Sequence, residues 1–279
     1  MRAPRVAVIG HVEWADFAVV DHFPVPGEIV HASHFWEDAA GGGAVAAVQL
    51  VKLAGTASFF TALSSDRLGS EAASRLAGVG LELHVARRAE PQRRAFVHLD
   101  ADAERTISVL GSRMVPRGSD DLPWSDLADF DAVYFTGGDE EALRAARRAR
   151  VLVATPRAAE ILHTAGVELD VLVRSGNDPD EAGFDPATMS PPPRHVVSTL
   201  GSEGGRWIGG EQAGTWKAAA LPGPPVDAYG CGDSFAAGLT YGLGAEHSMD
   251  EALALAARCG AHCLTGRGPY AAQLELTRE

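Results

Sequence analysis

Residues 132–173 read AVYFTGGDEEALRAARRARVLVATPRAAEILHTAGVELDVLV, and their rhythm decides the fold class. Residues 132–135 are a short apolar strand, 140–150 have helical spacing, and 151–154 are a second strand. A second helix over 158–164 and a third strand over 169–173 complete the run. Strand and helix alternating at this spacing predict an α/β fold, a doubly wound, mainly parallel sheet with helices on both faces.

The alternation continues outward. Residues 5–10 (RVAVIG) form a β-branched strand ending in glycine, and 44–53 an apolar helix behind Gly41, Gly42 and Gly43. Residues 57–63 are a buried strand, and 69–78 carry Ala72, Leu76 and Ala77 at helical spacing. Towards the C-terminus, 195–200 form a strand, and 234–243 and 249–264 form helices. Two stretches break the pattern. Residues 12–35 are rich in aromatics and histidine around the turn Pro24-Val25-Pro26-Gly27, and 93–109 read as two strands around the acidic turn 100–104. They predict a small β lid standing outside the main sheet of one domain spanning 1–279.

With 46% apolar residues in a chain of 279, there is material for a sizeable core, which excludes a disordered protein. A formal net charge of −13 argues against nucleic acid or an anionic membrane as partner. Cys231, Cys259 and Cys263 make no disulfide framework and suit a reducing cytoplasm. Cys259 and Cys263, one helical turn apart beside His262, read as core-filling thiols in preference to a metal corner. No apolar run approaches the roughly 20 residues that span a bilayer, and residues 6–9 are too short for the hydrophobic region of a signal peptide, so a soluble cytoplasmic protein is expected.

Chemistry concentrates in Asp227-Ala228-Tyr229-Gly230-Cys231-Gly232-Asp233. Two glycines flank one small residue, an aspartate follows at once, and a helix begins. Small residues let a ligand approach the backbone closely. The free N–H groups and dipole of a helix start favour an anion, and an aspartate in the same turn can take the proton of an attacking hydroxyl. Anion cradle plus carboxylate is what phosphoryl transfer to an alcohol requires. An ordinary loop entering a helix, with Asp233 in the first turn for the dipole, accounts for the same residues. A dinucleotide-binding G-x-G-x-x-G fails, because Gly10 is followed by His-Val-Glu-Trp; a P-loop fails, because neither Lys52 nor Lys217 follows a glycine.

Residues 227–233 resemble the D-T-x-G-A-G-D segment of the ribokinase-like (PfkB) carbohydrate kinases, with Ala228 in place of threonine and Cys231 in place of alanine. Further matches come in the family's order. Residues 23–28 resemble the lid turn, and Gly41-Gly42-Gly43 the glycine pair beside the sugar. Ser65-Asp66-Arg67-Leu68-Gly69 resembles G-x-D-x-x-G, and Glu104-Arg105-Thr106 the lid's G-E-R-T. Asn177-Asp178-Pro179-Asp180 resembles N-x-x-E, and residues 199–204 the T-L-G-x-x-G nucleotide segment. The resemblance implies a ribokinase-like fold and an ATP- and Mg²⁺-dependent kinase of a hydroxyl on a sugar or sugar-like molecule. Asp233 would be the base, with the N–H groups of Gly230, Cys231 and Gly232 as anion hole. The nucleotide is expected at Asn177, Asp180, Thr199, Gly201, Gly204, Asp227, Ala257 and Gly260, with Asp180 meeting Mg²⁺ through water. The loop at Gly268 is similar to the family's monovalent-cation (K⁺) loop. A homodimer paired through the lids is also implied.

The acceptor end departs from the pattern. Ala46 stands where the family has an asparagine that touches the acceptor. The first strand, usually G-x-x-N-x-D, runs Gly10-His11-Val12-Glu13-Trp14-Ala15-Asp16, so Asp16 comes one residue late and faces the other side of an extended strand. Glu13, or Asp16 after a local bulge, is expected to replace the missing carboxylate, which makes ribose a poor candidate. His11 sits near the pocket. His22, His31 and His34 read as polar lid residues, the sharper alternative being sugar or metal contacts. Arg93 and Arg94 either hold a phosphate already on the substrate, making a sugar-phosphate kinase, or flank a strand as a solvated pair. Trp14 and Phe35 could stack a base, which makes a nucleoside kinase the runner-up. From another class, Ala15 and Ala46 keep open a sensor that binds ligand without turnover.

Overall fold

The computed structural model describes residues 2–100 and 104–276, so part of the acidic turn lies outside the described residues. β1 (Val6–Ile9) opens the chain; β2 (Glu13–Val19) and β3 (His34–Ala40) leave the core, and α1 (Gly42–Ala54) returns to it. β4 (Ala57–Ser64), α2 (Arg67–Gly78) and β5 (Leu81–Arg88) follow, then β6 (Arg94–Leu99) and β7 (Arg105–Leu110). Next come β8 (Ala132–Phe135), α3 (Glu140–Ala146), β9 (Val151–Ala154), α4 (Ala159–Thr164), β10 (Val171–Ser175), α5 (Pro179–Ala182) and β11 (His195–Thr199). The hairpin of β12 (Gly205–Gly209) and β13 (Gln212–Trp216) precedes α6 (Cys231–Gly244) and α7 (Met249–Leu264).

Nine strands form one sheet in the order β13-β12-β11-β10-β9-β8-β1-β4-β5. Every pair from β5 to β11 is parallel, and the two pairs made by β12, with β11 and with β13, are antiparallel. The central strands are buried along their whole length, as parallel strands with helices on both faces must be. On β1 the side chains alternate between two cores. Val6 and Val8 pack with α1, α6 and α7 residues such as Leu50, Leu239 and Leu253. Ala7 and Ile9 pack on the other face with Phe135, Leu143 and Leu152. The doubly wound reading therefore holds. α1 has no polar face over Gly42–Leu50 because it lies between the sheet and α6, and it stops at Gly55, whose left-handed φ of 78° closes the helix.

The irregular stretches form a four-stranded sheet in the order β3-β2-β6-β7. Ala15, Phe17, Ala95 and Val97 turn its inner face onto Val45 of α1 and onto Tyr229, and Phe17 stacks on Trp36 with ring centroids 4.9 Å apart. Pairing of β2 with β3 is unbroken from Glu13–Ala40 to Val19–His34, so no bulge rotates Asp16.

Several elements differ from the sequence reading. β5 and the β12–β13 hairpin are additional strands; both lie at sheet edges, where one unsatisfied face removes the continuous apolar run. α3 ends at Ala146, four residues early, because Arg147 bonds the carbonyls of Ala149 and Arg150 and turns the chain into β9. Asp66 caps α2, accepting from Gly69 N (2.8 Å) and Gln92 N (2.8 Å), so that motif is structural. Cys259 and Cys263 are buried in the core. No described helix is long and apolar enough to cross a membrane.

Candidate active site

The site lies where ligands gather in open parallel sheets, outside the carboxyl ends of the strands. Gly230 precedes α6 with φ 82°, a left-handed turn that favours glycine. A Cβ there would also strike Val45 Cγ1 at 2.8 Å. The turn leaves the N–H groups of Gly230, Gly232 and Asp233 without an acceptor among the described residues, and the space over Gly232 is open. The Cys231 N–H, expected in the anion hole, is directed instead to Ala228 O at 3.4 Å, because the tight turn folds it back. Asp227 is fully buried. Its Oδ1 accepts from Tyr229 N (2.8 Å) and its Oδ2 from Gly268 N (2.9 Å), so it ties the anion turn to the loop expected to hold a cation. Burial raises its carboxyl above the usual aspartate range.

Asp233 faces the glycine run. A Cβ on Gly42 would lie 2.7 Å from Asp233 Oδ1, and Gly41 donates its N–H to Tyr229 Oη at 3.1 Å. A Cβ on Gly41 would touch Glu13 Cγ at 3.2 Å and His11 Cδ2 at 3.4 Å. His11, Glu13, Gly41, Gly42 and Asp233 thus come together from β1, β2, α1 and α6. Glu13 Oε1 accepts from Arg93 Nε at 2.6 Å and lies 3.5 Å from His11 Nε2. Burial alone would raise the Glu13 carboxyl; the His11 hydrogen bond and charge and the Arg93 guanidinium outweigh it and hold it at about 2. Burial lowers His11 below the usual histidine range.

That depressed acid makes a stability prediction. A carboxyl held below its unfolded value stabilises the fold above about pH 5, and this contribution is lost as pH falls towards 2. Its size is about 3 kcal/mol. Wild type should exceed Glu13→Gln by that amount in denaturant unfolding near pH 6 and by about 1 kcal/mol near pH 2.5. A gap that does not change with pH would contradict the assignment.

Four expected acceptor contacts fall elsewhere, and the expected magnesium carboxylate is turned outward. Asp16 and Arg94 bind each other (2.7 Å) on the face of β2 opposite Glu13, which strand alternation dictates. Ala46 is fully buried in the core. Trp14 is 1% exposed and lies under Arg75, so it offers no stacking surface, while Phe35 is exposed on β3. Asp180 faces solvent, and the inward carboxylate is Glu181, one residue later. Asp178 caps α5 and Pro179 begins it, and that register turns Glu181 to Ser175 N (2.8 Å) and Arg157 Nε (2.9 Å).

Among the residues expected to meet the nucleotide, Asn177 Nδ2 would lie 3.5 Å from a Cβ on Gly201, so the ends of β10 and β11 meet there, with Thr199 closing β11. Gly204 has φ 89°, and a Cβ on it would sit 2.1 Å from Trp216 O, so its glycine serves the hairpin. Ala257 and Gly260 pack α7 under the start of α6; a Cβ on Gly260 would be 3.3 Å from Cys231 O. Two arginines absent from the sequence reading also belong here. Arg157 follows β9, and the Asp233 charge is the main cause that raises its guanidinium; Arg113 follows β7 and lies within the fields of Glu13 and Asp233.

The family model for the pfkB family carbohydrate kinases matches residues 3–178 and 151–275. The chain belongs to that family, phosphotransferases with an alcohol group as acceptor. Its fold is similar to that of a ribokinase from Thermotoga maritima (TM-score 0.77, 18% identity, 98% of this chain and 96% of that one). An Arabidopsis thaliana ribokinase complexed with ribose and ATP gives 0.75 at 20% identity over 97% and 96%. A Methanocaldococcus jannaschii nucleoside kinase gives 0.73 at 15% over 98% and 96%. No curated protein matches the chain.

Proposed function

We propose that this protein transfers the γ-phosphate of ATP to a hydroxyl of a sugar or sugar-like molecule, with Asp233 as the base. One observation carries the reading: a carboxylate pressed against Gly42 stands in the same helical turn as the uncapped N–H groups of Gly230 and Gly232. A hydroxyl placed over Gly42 would be within reach of Asp233, which takes its proton as the oxygen attacks. The N–H groups and the dipole of α6 would stabilise the charge on the transferring group without reorganising. Asn177, Thr199 and Gly201 line the side from which the nucleotide would enter.

The donor set fits magnesium as a nucleotide complex. Among the described residues no three His, Cys, Asp or Glu side chains form a metal cage, and magnesium on phosphates keeps most of its waters and needs one or two carboxylates. Of the two carboxylates of α5, Glu181 is held by Arg157 and Ser175, so the exposed Asp180 is the one that could meet the ion through water. When bound, the ion neutralises phosphate charge. A potassium ion on the Gly268 loop would add positive charge next to the anion turn through the Asp227 link. Pairing of two chains through the small sheet is part of the same proposal.

ADP release by purified protein with Mg-ATP, over a panel of free sugars, sugar acids, phosphosugars and nucleosides, tests the reading. An acceptor-dependent rate supports it. ATP binding together with acceptor binding that never raises the rate would instead make the protein a sensor.

A further inference from the structure

The side chains around Asp233 bear on which kind of acceptor the site admits. Three guanidinium groups converge there, and two are engaged: Arg93 Nε is 2.6 Å from Glu13 and Arg157 Nε is 2.9 Å from Glu181. Arg113 is not. The residue is exposed as a whole while its guanidinium end is walled in; its Nη1 donates to the Arg157 carbonyl oxygen at 3.0 Å, and no carboxylate lies within ion-pair distance of it among the described residues. The surrounding walls, and then the like charges of Arg93 and Arg157, lower its guanidinium. Like charges held close with one left unpaired are unfavourable, and an incoming anion relieves them.

Its position is on the acceptor side. Val115, two residues on, would lie 3.1 Å from a Cβ on Gly137 at the end of β8, and His11 Nδ1 would lie 4.0 Å from the same atom. The nucleotide residues Asn177, Thr199 and Gly201 sit at β10 and β11, with β9 between them and β8. His11 Nδ1 is buried without a hydrogen-bond partner. With Nε2 turned to Glu13, the neutral ring carries its proton there and presents Nδ1 as an acceptor.

We infer that the acceptor of this kinase carries an oxyanion, a carboxylate or a phosphate, which is bound by Arg113 with Arg157 beside it, while one of its hydroxyls donates to His11 Nδ1. The inference rests on the kinase reading and narrows it. The two arginines that adjoin in sequence are taken: Arg93 by Glu13, and Arg94 by Asp16 on the other face of the small sheet.

Binding is measured without turnover, so that it is read separately from the ADP-release assay. Protein loaded with a non-hydrolysable ATP analogue and Mg²⁺ is titrated calorimetrically with fructose 6-phosphate, fructose 1-phosphate, gluconate and neutral fructose. At least one anion should bind about 10- to 100-fold more tightly than fructose, the span of a charge-assisted hydrogen-bonded pair. Arg113→Met should abolish that advantage, Arg113→Lys should restore part of it, and affinity for the ATP analogue should stay within about threefold in both. Preference for phosphate or for carboxylate then identifies the group. Fructose binding as well as every anion, binding of none of them, or a Met variant that loses the ATP analogue instead would each overturn the inference.

Discussion

Asp233→Asn lowers kcat by on the order of 10³-fold, within the usual range for loss of a general base, and leaves ATP affinity within about threefold. Asparagine keeps the shape that lies against Gly42 but cannot accept the hydroxyl proton at pH 7. The uncapped N–H groups of Gly230, Gly232 and residue 233 are backbone and survive the change, so the anion site persists. Arg157 loses the Asp233 charge that chiefly raises its guanidinium, yet keeps its 2.9 Å bond to Glu181, so the loop after β9 should hold its place. The loss should therefore fall on kcat with little change in the melting temperature. Steady-state kinetics beside a thermal melt decide it. A variant that keeps wild-type kcat to within about tenfold would remove Asp233 from the chemistry.

Which parts of this arrangement could be read from the chain follows from how local their causes are. β1, β8 and β9 are buried on both faces, so they stand out as short unbroken apolar runs between helices. β5, LELHVARR, has its edge in solvent and alternates, and the strands of the β12–β13 hairpin are more than half glycine and polar residues; neither leaves such a run. The anion turn was legible because all its parts lie within residues 227–233. Arg113, Arg157 and Glu181 were not, because they come from three separate segments, two connections and α5, that meet only in the fold. A signal for Arg157 and Glu181 did exist: each follows the carboxyl end of a parallel strand, where such sheets place their ligands. The exchange of Asp180 for Glu181 was decided by helix register, which the Asp178 cap and Pro179 set. Trp14 and Asp16 show the opposite case. Strand alternation alone places both away from Glu13, and the unbroken pairing of β2 leaves no bulge to reverse it.

A large stability effect and the sharpest separation of catalysis from folding are expected at two adjacent glycines. A methyl on Gly42 would meet Asp233 Oδ1 at 2.7 Å, the movable end of a side chain. Gly42→Ala should therefore fold, push the carboxylate off the hydroxyl, and lower kcat on the order of 10²-fold, since misplacement by an ångström is enough. A methyl on Gly43 meets only backbone: His11 O at 2.7 Å, His11 N at 2.8 Å and Gly10 C at 2.9 Å. No rotamer can relieve that contact; α1 must draw back from the end of β1. The expected cost is about 3 kcal/mol, or roughly 6–12 °C in the melting midpoint for a domain of this size. Melting curves and kcat for the two variants check both at once. If Gly42→Ala were the less stable variant while Gly43→Ala melted like wild type, the crossing of α1 over β1 and the place of Asp233 beside it would both be wrong, because the two contacts share one backbone.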